Sequence, residues 1–314
     1  MATVHATTTE TSTTSTSKLT AHTNPQGGTS TQIEGKTNSD DAKPYVRLAE
    51  PEDFDQVVEV AHNAFVHDPM ELYVSGVKEI TEDGLFEKDS NNLRTWLSFL
   101  LKMCVAVGGR VTVVVDASLP KIKGRERVCA AAYWLPPNKR PSALQISILL
   151  KSGIWEAYRG WGVKGIYRAC IEYLTVCDKT MKKAYRARGL RTPVADSWYL
   201  LHMMTDPKFQ GRGYMSMVIR EAFSHAPDAM FTLEASTPKS RDRYAHLGYE
   251  IAAPFVIGRG KVGANGLPAK GKEATGVEGH AMLKSMSICF GSLRLAWMLN
   301  APVVVVVPVE PKES

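Results

Sequence analysis

One stretch of the chain constrains its fold more than any other: Ser197-Trp198-Tyr199-Leu200-Leu201-His202-Met203-Met204-Thr205-Asp206-Pro207-Lys208-Phe209-Gln210-Gly211-Arg212-Gly213-Tyr214-Met215. The apolar, aromatic run over 198–204 has strand composition and stops at Asp206-Pro207, a turn pair. From Ser216 onward, Met217, Val218 and Phe223 fall at helical spacing. Between strand and helix, Gln210-Gly211-Arg212-Gly213 sets a series of backbone N–H groups at a helix N-terminus. Glycines let that backbone approach a ligand closely, and the helix dipole adds positive potential, so the loop suits a phosphate or pyrophosphate. A tight turn is the competing reading, and a motif this short does not choose between them.

Composition limits what can surround this segment. A chain of 314 residues holds one large domain or two ordinary ones, and a hydrophobic share of 44% supplies a buried core. The net charge of +6 forms no Lys/Arg cluster dense enough for a nucleic-acid partner, though it suits an anionic ligand. The five cysteines, Cys104, Cys129, Cys170, Cys177 and Cys289, show no C-x-x-C pair and no Cys/His metal spacing. Reduced thiols in a reducing compartment and no metal are expected. Residues 1–43 are Thr/Ser-rich with almost no large apolar side chains, so a disordered tail is expected there. That tail has no apolar signal core, and arginine is absent before Arg47. No run reaches the roughly 20 apolar residues that span a bilayer. The expectation is a cytoplasmic protein without a membrane partner.

Structure is expected to begin with a strand at Tyr45-Val46-Arg47-Leu48-Ala49. Glu50-Pro51-Glu52-Asp53 then opens a helix, with proline and acids in its first turn, that stops at His67-Asp68-Pro69. A second, well-buried helix covers 93–107 and ends at Gly108-Gly109. Strands over 111–115 and 128–135 flank a polar hairpin connection. Residues 143–186 read as helical, interrupted over 160–165 and rich in aromatics. After the central strand, loop and helix come a strand over 230–235 and a short helix over 241–247 stopped by Gly248. Extended chain over 249–257, a flexible Gly/Lys-rich loop over 258–279 and a last strand over 280–288 follow. This order gives a mixed α/β fold, not a regularly alternating parallel sheet.

Two motifs in this order resemble the GNAT N-acetyltransferase superfamily. Gln210-Gly211-Arg212-Gly213-Tyr214-Met215 follows its [Arg/Gln]-x-x-Gly-x-[Gly/Ala] helix start, except that Met215 stands where Gly or Ala is usual. Leu233-Glu234-Ala235-Ser236 and then Tyr244-Ala245-His246-Leu247-Gly248-Tyr249 follow its later strand and its Tyr-x-x-x-Gly-[Phe/Tyr] helix end. Upstream, Ala64-Phe65-Val66-His67-Asp68-Pro69 and Ala131-Ala132-Tyr133-Trp134-Leu135-Pro136-Pro137 extend the likeness, which runs from Tyr45 to about Ile288. It is nearest to puromycin N-acetyltransferase-like and fungal members. The resemblance implies an α/β (α+β) GNAT domain over 44–290. Its central mixed, mostly antiparallel twisted sheet is splayed at the cofactor site and flanked by helices. It also implies an acyltransferase that moves an acetyl group from acetyl-CoA to a primary amine of a small molecule, by direct attack in a ternary complex.

Such a transfer needs a held acyl-CoA, a neutral amine and a proton for the departing thiolate. By the resemblance, the loop from Gln210 and Gly211 through Arg212, Gly213, Tyr214 and Met215 takes the pyrophosphate, with Arg212 adding charge. Backbone groups of Met203, Met204 and Thr205 meet the pantetheine and acetyl carbonyl. Ser240 occupies the place of a CoA-contacting Asn in relatives. Tyr244 stands where the family has a tyrosine that protonates sulfur; a phenol of pKa about 10 does this for a thiol near about 8.5 only with geometric help.

Glu234, mid-strand, is costly unless it faces a cleft, which makes it the first choice as general base; a solvated edge strand is the alternative. His202, alternating with Leu201 and Met203, is a second base candidate or a structural histidine. Asp68 either contacts substrate or forms a turn before Pro69. Of Tyr133 and Trp134, alternation sends one to the acceptor pocket and the other into the core.

Two further functions share these residues. A non-catalytic acyl-CoA-binding or sensor module is suggested by Met215 and Ser240, and a protein or peptide N-acetyltransferase fits the same motifs. A dinucleotide-binding domain would need G-x-G-x-x-G after the first strand, and the glycines here follow a late one. The acceptor, and the choice between monomer and homodimer, stay open because fold does not fix them. Residues 291–314 carry Trp297-Met298-Leu299 and valines at 303–307. They form an apolar extension expected to pack on the domain or join a dimer contact.

Overall fold

Runs of β-branched and small residues build the sheet that carries every other element. β1 (Tyr45–Leu48), β2 (Arg110–Asp116), β3 (Arg127–Leu135) and β4 (Trp198–Thr205) pair antiparallel in chain order. β5 (Phe231–Ala235) lies parallel to β4, and β7 (Val277–Lys284) runs antiparallel between β5 and β6 (Glu250–Ile257). The sheet order is β1-β2-β3-β4-β5-β7-β6, mixed and mostly antiparallel as expected. The computed structural model describes residues 43–82, 84–140 and 145–285. The expected N-terminal tail, Cys289 and the extension 291–314 lie outside the described residues.

Helices cover both faces. One face of the sheet, with Val113, Tyr133 and Met204, packs against α1 (Phe54–Phe65), α2 (Pro69–Ser75), α3 (Glu87–Ala106) and α5 (Ile154–Tyr167). The opposite face, with Trp134, Leu200 and Phe231, packs against α7 (Tyr214–His225) and α8 (Pro238–His246). Because β2 and β3 are covered on both sides, their sequences read as unbroken apolar runs rather than alternating ones. Tyr133 and Trp134 do go to opposite faces, but both are fully buried. Neither lines an open pocket.

Four expectations change. The first helix does stop before His67-Asp68-Pro69, but an unexpected helix, α2, starts there, because Asp68 accepts hydrogen bonds from the Met70 and Glu71 amides (2.9 and 3.2 Å). The helical stretch after residue 145 divides into α4 (Ile146–Lys151), α5, a π-helical turn at Arg168–Tyr173 and α6 (Leu174–Ala187). Its interruption is Gly162, whose φ of +64° and ψ of −177° leave the helical region. The Gly/Lys-rich loop is shorter than expected and internally bonded. Gly260 N–H donates to Ala274 and Gly276 N–H to Val262, and strand structure resumes at Val277 rather than 280. Finally, His202 does not alternate with Leu201, for a reason that belongs to the site.

Candidate functional site

β4 and β5 pair only at Trp198–Phe231 and Tyr199–Thr232. Beyond that, β4 stays bonded to β3 as far as Thr205, and β5 to β7 as far as Ala235. The two parallel strands therefore part, and the edges that face each other have no strand partner among the described residues. A bulge in β4 accompanies the parting: Tyr133 pairs with His202 but Trp134 with Leu200, so Leu201 is the extra residue. Bulges sharpen the local twist, which swings the end of β4 away from β5. They also break alternation. Leu201 and His202 both join the α1 face, while Met203 packs toward α7 and Met204 is buried toward α1.

At the wide end of the opening lies the glycine loop. Asp206 caps the turn Pro207–Phe209 through the Lys208 amide (2.9 Å) and accepts from Asn63 Nδ2 (3.0 Å), which ties the strand end to α1. Gly211 and Gly213 have φ of +83° and +82°; a Cβ at either would meet nothing within 4 Å, so the requirement for glycine is conformational. Tyr214 is buried and its hydroxyl donates to Asp116 Oδ2 (2.8 Å), which anchors the first turn of α7 from the sheet side. The N–H groups from Gly211 to Met215 find no acceptor among the described residues. That leaves a row of donors at a helix N-terminus.

Other residues expected at the cofactor are placed as follows. Arg212 is exposed, its guanidinium 5.2 Å from the Phe209 ring centre. Met215 is half-buried against the α7 core rather than projecting freely. Ser240 forms a capping box with Thr237, its amide donating to Thr237 Oγ1 (3.1 Å) and its hydroxyl to the Thr237 carbonyl (2.9 Å). Its side chain is thus occupied in starting α8. Gln210 receives a hydrogen bond from Lys239 Nζ (3.4 Å), so a lysine of α8 reaches across the mouth to the loop.

The titratable groups come from separate elements: Asp68 and Glu71 from α2, His202 from β4, Glu234 from β5 and Tyr244 from α8. Glu234 Oε2 accepts from the Tyr199 hydroxyl at 2.6 Å. Burial pushes its carboxyl above the usual range, against the opposing pull of that hydrogen bond and of the Arg140 charge. Asp68 Oδ2 accepts from Ser236 Oγ at 2.5 Å, joining α2 to the end of β5. Burial raises its pKa as well, Ser236 works against this, and Glu71 adds to it. Tyr244 is buried in α8; burial first and the Asp68 charge second push its phenol up. It stays protonated, but the same shift makes it a weaker acid, so donation to a thiolate would depend on geometry. His202 Nε2 lies 3.2 Å from Glu71 Oε1, with its ring edge-on to Phe65 at 5.1 Å. Nδ1 of His202 and Oε2 of Glu71 are buried without a partner among the described residues.

Sequence reasoning missed Glu71, Ser236, Tyr199 and Lys239. Glu71 is detectable once Asp68 is recognised as an N-cap, since it then sits one turn into a helix that begins at the site. The other three carry no pattern of their own; only the parting of β4 from β5 makes them neighbours of the opening. Cys104, Cys129, Cys170 and Cys177 form no disulfide among the described residues. Among the described residues no group of His, Cys, Asp and Glu could hold a metal ion. A cleft of about 340 Å³ lies away from the site, beside α3 at Arg94 and Lys102, and one of about 350 Å³ between α1 and the β2–β3 hairpin reaches Asn63, Asp206 and Lys208 at the end of β4.

No family model matches the chain, and no curated protein matches it. Solved structures of low sequence identity are similar to it. One from Corynebacterium glutamicum, described as histone acetyltransferase HPA2 and related acetyltransferase, is 21% identical. The match covers 78% of this chain and 98% of that one, with a TM-score of 0.44. Arylalkylamine N-acetyltransferase 2 of Aedes aegypti is 13% identical over 78% of this chain and 99% of its own, with a TM-score of 0.45. A GCN5-related N-acetyltransferase from Kribbella flavida is 13% identical over 77% and 97%, with a TM-score of 0.37.

Proposed function

We propose that the chain is an acetyl-CoA-dependent N-acetyltransferase of the GNAT type, acting on the primary amine of a small molecule. The observation that carries the reading is the parting of β4 from β5 beside the free amides of Gly211–Met215. Those amides, with Lys239 and Arg212 nearby, suit a pyrophosphate. The unpaired edge of β4 around Met203, Met204 and Thr205 suits the amides of a pantetheine arm. Acetyl-CoA would supply the activated acetyl group; the remaining work falls to the chain itself.

An ammonium acceptor must lose a proton before it attacks. Glu234 is the proposed base: burial raises its proton affinity above the usual carboxylate range, and Tyr199 fixes its orientation. Asp68 and Glu71 place two further carboxyl groups at the start of α2, hydrogen-bond acceptors that suit an amine. Tyr244, protonated and beside Asp68, is the proposed donor to the departing thiolate.

Purified chain tested for CoA binding by calorimetry, and for thiol release from acetyl-CoA with a panel of amines, decides the matter. Binding together with amine-dependent release is the expected result. Absence of both across aminonucleosides, polyamines, arylalkylamines and amino acids would sink the proposal.

A further inference from the structure

Eight of the thirteen exposed large apolar side chains among the described residues fall between positions 146 and 174. Val163, Tyr167, Ile171 and Leu174 follow one another at helical spacing on α5, the π-helical turn and the start of α6, with exposures from 46% for Leu174 to 68% for Val163. One turn earlier, Trp155 and Tyr158 stack in the open, ring centres 5.2 Å apart, with the Arg159 guanidinium 5.4 Å from the Trp155 ring. The opposite side of the same run, with Ala157, Trp161 and Ala169, is buried in the domain core. A helix that is apolar on both sides normally has both sides covered. Here the outer side faces water.

The charge of the run says what covers it. Residues 146–187 hold eight Lys and Arg against three Asp and Glu, which is most of the chain's net +6. Exposed aromatics and aliphatics set among basic side chains are what an anionic bilayer surface takes up, the rings at headgroup level and the cations at the phosphates. A second copy placed on this face would bring two equally basic surfaces together. Residues 291–314 carry two basic and two acidic side chains, so they would leave the positive charge unmatched. We propose that the outer face of the α4–α6 run docks on an anionic lipid surface. Among the described residues no helix is long and apolar enough to cross a membrane, so the contact is peripheral. The expectation of no membrane partner was drawn from spanning length alone, a criterion blind to such a face.

Sedimentation of the full chain with phosphatidylserine-containing vesicles and with phosphatidylcholine vesicles tests this. The expected result is at least tenfold stronger partition onto the anionic vesicles, weakening as salt rises. Replacing Lys164, Lys179 and Lys183 together by Gln should lower that partition about a hundredfold, at roughly one surface-field increment per lysine. Val163→Ser with Tyr167→Ser and Ile171→Ser should lower it at least tenfold. All six positions are exposed, so circular dichroism should show both variants folded. Equal partition onto the two vesicle types, or variants that partition like the parent, would overturn the proposal. So would loss of a dimer in the serine variant with vesicle binding unchanged, which would give the face to a second copy. Vesicle binding seen only after removal of 291–314 would give it to the C-terminal extension and overturn it equally.

Discussion

Replacing Glu234 by Gln separates the chemistry of this residue from its place in the fold. Glutamine keeps an oxygen that accepts from the Tyr199 hydroxyl, now 2.6 Å from Oε2, but cannot take up a proton. A hydrogen bond to a charged acceptor is worth about 1.5–3 kcal/mol and a neutral one about 0.5–1.5 kcal/mol, so the exchange loses roughly 1 kcal/mol. Removing a carboxylate that burial already disfavours acts in the opposite sense. Glu234→Gln should therefore match the parent in denaturant unfolding at neutral pH to within about 1 kcal/mol. Glu234→Ala strands the Tyr199 hydroxyl and should cost about 2–4 kcal/mol, the unsatisfied group plus a small cavity. Activity should divide differently. If Glu234 is the base, the Gln variant loses about 10²- to 10⁴-fold in kcat/KM, and the rising limb of its pH profile flattens. Thiol release followed across pH, beside unfolding of the same samples, reads both quantities. A Gln variant within threefold of the parent with the same pH profile would refute the base assignment. A Gln variant as unstable as the Ala variant would refute the hydrogen-bond account.

Three further outcomes can be checked directly. Gly213→Ala should cost about 1–2 kcal/mol in unfolding from its φ of +82°, and should also weaken CoA binding in calorimetry because the loop amides move. Asp53→Asn weakens the buried acceptor of Arg47 (2.5 Å) and Arg125 (3.3 Å) to a neutral amide and should cost about 1–2 kcal/mol in chemical denaturation. Asp68 and Glu234 both have folded pKa values raised by burial, so each contributes stability that is full below its unfolded pKa and lost as pH rises through the folded one. Urea midpoints should thus fall as pH rises above the unfolded carboxylate range, and the fall should shrink in Glu234→Gln.

Much of the fold was legible because it depends on local pattern. The continuous apolar runs of β2 and β3, the Pro-and-acid start before α1, and Gly248 (φ +92°) just past α8 announce themselves by composition and spacing. α2 was hidden because seven residues behind an Asp-Pro pair carry too little periodicity to register. The bulge at Leu201 was hidden because a run of apolar residues conceals which of them lacks a cross-strand partner. Of the cofactor loop, glycine spacing showed the positions that need positive φ. It did not show that the Ser240 hydroxyl would be occupied in a cap or that Lys239 would reach Gln210.

The sequence by itself determined the ordering of strands and helices and the loop whose glycines free a row of amides. Both follow from short-range physics: hydrophobic period, backbone steric limits and helix capping. Only the tertiary structure decided that β4 and β5 separate after two residue pairs and that Glu234 lies in a buried central strand instead of an edge. It alone set Asp68 against Ser236, Glu71 against His202 and Tyr199 against Glu234, pairs 168, 131 and 35 residues apart in the chain. Contacts over such separations depend on how the whole sheet twists and which faces its helices cover, and no local window of sequence holds that information.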